Sequence, residues 1–67
     1  MKNAEDLRAR AGSIRQMAAT ARRVGRSLSL PPDRSMLLEH ARELEAEAAG
    51  LEAQADVLER APASGRP

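Results

Sequence analysis

This sequence predicts an all-α fold: a two-helix antiparallel hairpin with an Ala/Leu heptad seam, dimerising into a four-helix bundle. Three observations lead there. Apolar residues recur with 4-3 spacing in both halves. They are Ala4, Leu7, Ala11, Ile14, Ala18, Ala21, Gly25 and Leu28 in the first, then Leu37, Ala41, Leu44, Ala48, Leu51, Ala55 and Leu58 in the second. That spacing draws one apolar stripe along each helix. Between the runs stands Pro31-Pro32, which a continuous helix does not cross. Charge is segregated as well: residues 1–28 carry a net +5 and residues 29–67 a net −4, within a total of +1, so a basic helix can lie against an acidic one.

The first helix is expected over residues 4–28. Asn3 is a good N-cap, and Glu5 and Asp6 suit the positive end of the helix dipole, with Asp6 at the capping-box position. Arg22, Arg23 and Arg26 suit the negative end. Gly25, after an arginine pair, offers an earlier C-cap. The turn is expected at 29–31. Pro32 fits the first position of the second helix, with Asp33 behind it, and that helix is expected over 32–61. Residues 62–67, Pro-Ala-Ser-Gly-Arg-Pro, read as a flexible tail. Gly12 and Gly50 each cost a helix interior about 1 kcal/mol relative to alanine, so both helices depend on packing.

A three-residue turn makes the helices antiparallel neighbours. With Leu28 set level with Arg34, Gly25 falls beside Leu37, Ala18 beside Leu44, Ala11 beside Leu51 and Leu7 beside Ala55. In this flush register Arg8 is expected to pair with Glu52 and Arg15 with Glu45. A shift by one heptad would pair Arg8, Arg15 and Arg22 all with glutamates but would stretch the turn. The flush register is therefore the expectation.

One seam cannot cover all the apolar surface. The chain has no Cys, Trp, Tyr or Phe, alanines bury little area each, and chains of this size seldom gain more than ~3–5 kcal/mol from one core. A second stripe flanks the first, and Ile14, Met17, Ala21, Val24, Leu28 and Leu38 are the expected partner interface. The expected partner is a second copy of the chain, a homodimer packed about a two-fold, with a helix of another protein as the further possibility.

Chemical motifs point away from catalysis. His40 is the only histidine, and the Glu-x-x-His spacing of di-iron bundles fails because position 37 is Leu. No histidine–acid set stands ready to activate a serine, and no glycine-rich phosphate loop follows a strand. Catalytic residues, cofactor and metal are all expected to be none, and the protein not an enzyme. Leu30, Leu37, Leu44, Leu51 and Leu58 mimic a zipper, but prolines break its first heptad and alanine holds the alternate seam position. With no secretory leader or long uncharged run expected, the reading is a cytoplasmic protein and no membrane association.

Asp33 to Ala48, with Leu-Leu at 37–38 and alternating Ala and Glu, follows Leu7-Arg8-Ala9-Arg10-Ala11 and Ile14-Arg15-Gln16-Met17-Ala18. This pattern resembles short uncharacterised alanine-rich helical-hairpin proteins of alphaproteobacteria. The resemblance implies the hairpin and carries no activity. The architecture is also similar to the small dimeric bundle that controls plasmid copy number by gripping paired RNA loops. Two function classes follow. The first is a non-enzymatic protein–protein interaction or oligomerisation module, acting as a small regulator or adaptor. The alternative is an RNA- or DNA-binding dimer using the arginine-rich face of the first helix, with Arg22, Arg23 and Arg26 as its phosphate contacts. No aromatic residue is available to stack on bases.

Overall fold

The computed structural model describes residues 3–64, with side chains described as far as Arg60. Two helices, α1 (Ala4–Ser27) and α2 (Pro31–Ser64), pack against each other along their lengths, and no strand occurs among the described residues. The hairpin measures 59 × 15 × 14 Å.

Asn3 begins α1 as the sequence predicts. Its backbone is extended, its side-chain oxygen accepts from the Asp6 amide at 2.8 Å, and its carbonyl accepts from the Leu7 amide at 3.0 Å. The first of these bonds satisfies one of the helix's orphan donors, and the second is the helix's first regular backbone bond. The helix closes one residue before the expected end. Leu28 turns extended and its amide donates to the Gly25 carbonyl at 3.3 Å. Gly25 is no C-cap: no glycine among the described residues has a positive φ. It lies inside α1, buried, where a methyl group would stand 3.4 Å from Leu37 Cβ and 3.6 Å from Leu38 Cδ2. Close approach of α2 is what it permits.

The helical part of α2 begins at Pro31, one residue earlier than expected, and the turn is residues 28–30. The Leu30 carbonyl accepts from the Arg34 amide at 3.1 Å. Both prolines therefore sit in the first turn, where their missing N–H groups remove two donors that would have had no helical partner. At its other end α2 continues to Ser64, past the expected stop at 61. A proline in the last turn forfeits a single backbone bond, which does not end the helix at once. The expected tail thus overlaps α2 at 62–64, and its remainder, 65–67, lies outside the described residues.

Among the described residues, every buried one belongs to the predicted seam. Leu7, Ala11, Ile14, Ala18, Ala21 and Gly25 of α1 meet Ala41, Leu44, Ala48 and Ala55 of α2. Leu37 and Leu51 pack against them half-buried. No polar or charged side chain is buried among them. Ala4 and Leu28 sit at the rim, half-buried, and Leu58 departs from expectation by remaining 42% exposed. Leu58 is level with small Ala4 at the start of α1, so little stands opposite to cover it.

Candidate functional site

The two flanks of the seam differ in kind. On one, arginines spaced by seven on α1 meet acids spaced by seven on α2. Arg22 is bidentate to Glu45 at 2.8 and 2.6 Å, and Arg15 to Glu52 at 2.9 and 2.6 Å. Arg8 bridges Asp56 at 2.7 Å and Glu59 at 2.7 Å. The expected pairs Arg8–Glu52 and Arg15–Glu45 are not formed, although the apolar seam keeps the predicted register: Gly25 faces Leu37, and Leu7 shares a cleft with Ala53, Gln54, Val57 and Leu58.

Both observations have one cause. Helical side chains lean toward their own N-terminus, so on antiparallel helices they lean in opposite directions. An arginine on α1 and a glutamate on α2 that lean toward each other start about five residues, roughly 7.5 Å, apart along the axis. Partners read as level are thus one heptad off for long side chains. The one-heptad alternative supplies the pairs without stretching the turn.

This ladder is electrostatically self-contained. Hydrogen bonds from Arg22, Arg15 and Arg8 hold Glu45, Glu52 and Glu59, respectively, below the usual carboxylate value. Of the three arginines predicted to contact phosphates, Arg22 is thus committed to Glu45. Arg23 and Arg26 are exposed and enter no ion pair among the described residues.

The opposite flank is open, apolar toward each end and polar between. Met17 and Val24, seven apart on α1, border a cleft of about 610 Å³ that runs along Ala21, Leu37, His40 and Leu44. Met36 stands beside it next to the turn. Farther along, Val57 and Leu58 flank a second cleft of about 450 Å³ under Leu7. These five large apolar side chains are 42–64% exposed. Between the two clefts the flank is polar, with Arg10, Glu43 and Glu47 exposed.

The predicted interface residues divide accordingly. Met17 and Val24 stand on the open flank. Ile14 and Ala21 are already covered by α2, with 7% and 9% of their surface left. Leu28 is half-buried at the end of α1, and Leu38 is half-buried over Gly25, at the turn end of the ion-pair flank. Met36, Val57 and Leu58 complete the open flank and are missing from the predicted set. The signal for Met36 and Val57 is a second seven-residue line on α2, Met36, Glu43, Gly50 and Val57, apolar at both ends, whereas Leu58 belongs to the expected seam.

Among the described residues no three His, Cys, Asp or Glu side chains gather where they could hold a metal. No described helix is long and apolar enough to cross a membrane. No protein-family model, no curated protein and no solved structure matches this chain.

Proposed function

We propose that the protein is a non-enzymatic interaction and oligomerisation module, a homodimeric four-helix bundle that acts as a small regulator or adaptor. One observation carries this reading: the hairpin's two flanks are closed by ion pairs on one side and left apolar on the other. A helix pair serving only itself has no use for five large apolar side chains in water on a single side, and an apolar patch of that kind marks an association surface. The shape agrees. A radius of gyration of 16.0 Å exceeds the roughly 11 Å of a compact chain of this length.

Light scattering at tens of micromolar should read twice 7.2 kDa, and the melting temperature should rise with protein concentration by mass action. Met17→Glu with Val24→Glu should return the protein to a monomer and remove that concentration dependence. A monomeric mass with concentration-independent melting would overturn the reading. So would salt-steep binding of RNA or duplex DNA that is lost on replacing Arg22, Arg23 and Arg26, because affinity of that kind belongs to phosphate contacts.

A further inference from the structure

Resting on the self-association reading above, we infer that Met17 and Met36 are reversible oxidation sites, and that a peroxide acting on their sulfurs releases the association made by the open flank. The two side chains stand in the turn half of that flank. Met17 borders the cleft along Ala21, Leu37, His40 and Leu44, and Met36 borders a neighbouring one that shares Leu37 and His40. They are 54% and 64% exposed, so a small oxidant reaches both in the separate hairpin. The chain has no cysteine, tryptophan or tyrosine to divert it. Val57 and Leu58, at the far cleft, hold no sulfur, which confines the change to the turn half of the flank.

The chemistry is a two-electron oxygen transfer. A lone pair on the thioether sulfur attacks the terminal oxygen of a hydroperoxide, an S–O bond forms as the O–O bond breaks, and the departing oxygen takes the proton. Sulfide and hydroperoxide become sulfoxide and alcohol, or sulfoxide and water when the oxidant is hydrogen peroxide. Two thiols reverse the step by supplying two electrons and two protons, which releases the oxygen as water and leaves a disulfide. The sulfoxide oxygen is a strong hydrogen-bond acceptor. Covered by a second copy and set against Ala21, Val24, Leu37 and Leu44, whose side chains offer no donor, it gives up water without a replacement. A two-fold doubles that loss, because each modified hairpin brings its own pair to the interface. The order of events follows from exposure. Association covers the sulfurs, so oxidation takes the separate hairpins, and each modified chain leaves the equilibrium.

The test treats the protein with hydrogen peroxide, maps the added oxygen by peptide mass and follows the molar mass by light scattering. Oxygen on Met17 and Met36 should convert the dimer to a monomer, with a dissociation constant raised by at least about tenfold. The two methionine sulfoxide reductases, one per epimer, should restore the dimer when supplied with a dithiol. Oxidation at both positions should also slow as protein concentration rises, because the dimer shields them. Met17→Leu with Met36→Leu should remain a dimer after peroxide, since leucine is close in volume and holds no sulfur, although Met1 is still present to be oxidised. Norleucine in place of every methionine repeats that control with the methionine shape. A dimer that survives oxygen on both sulfurs would overturn the switch and leave self-association in place, as would leucine and norleucine proteins that peroxide still separates. A protein that is monomeric before any peroxide would instead overturn the self-association reading, and the switch with it.

Discussion

A Cβ on Gly12 would meet nothing within 4 Å, and its backbone is helical. Gly12→Ala should therefore stabilise the protein by about 0.5–1 kcal/mol, since it removes backbone freedom from the unfolded chain and crowds nothing. Gly25 answers to different surroundings. A methyl group there reaches ordinary van der Waals distance from Leu37, so Gly25→Ala fits, whereas Gly25→Leu drives a branched side chain into Leu37 and Leu38 and should cost about 1–3 kcal/mol. Urea denaturation of Gly12→Ala, Gly25→Ala and Gly25→Leu separates the cases. A leucine tolerated at 25 would place that residue outside the seam. Sequence alone offered a C-cap and a close contact as competing roles for Gly25, and only the position of α2 decides between them.

At the scale of the helices, the ladder of Arg8, Arg15 and Arg22 ties stability to pH. Glu45, Glu52 and Glu59 titrate below their ordinary value in the folded protein. Their contribution is thus fully present above the unfolded carboxylate value, about 4.3. It is lost as pH falls through that value and the lower folded ones, because the unfolded chain binds protons first. The urea midpoint should drop between neutral pH and pH 3, and a variant with Glu45, Glu52 and Glu59 all changed to Gln should drop less. An equal drop in both would remove the ladder from the acid response. The stripe of small and large residues made the seam legible position by position, since burial follows 4-3 spacing. The ion pairs were harder, because the lean of a long side chain acts across the gap between helices and leaves no mark on either sequence half alone. The open flank was legible on α1 through Met17 and Val24. On α2 it was obscured by Glu43 and Gly50, which interrupt the line joining Met36 to Val57.

For the molecule as a whole, the seam relates α1 to α2 as a zip relates its two rows of teeth. Residues that meet near the turn, Gly25 and Leu37, are close in sequence, while Leu7 and Ala55, at the far end, are separated by most of the chain. Closing a loop costs more as the loop lengthens, so each rung made near the turn shortens the loop that the next must close. Folding should nucleate at the turn and advance toward the ends. Substitutions that delete a methyl group at Ala21 or Ala41 should slow folding, and those at Ala48 or Ala55 should mainly speed unfolding. Stopped-flow chevrons at a fixed low protein concentration measure both arms, and uniform values along the seam would rule out an ordered advance. The same geometry gives the hairpin a mechanical direction. Pulling apart the start of α1 and the facing end of α2 loads one rung at a time, so the pair should open by peeling at low force. A load applied between the turn and the start of α1 runs along the helices and has no single rung to break.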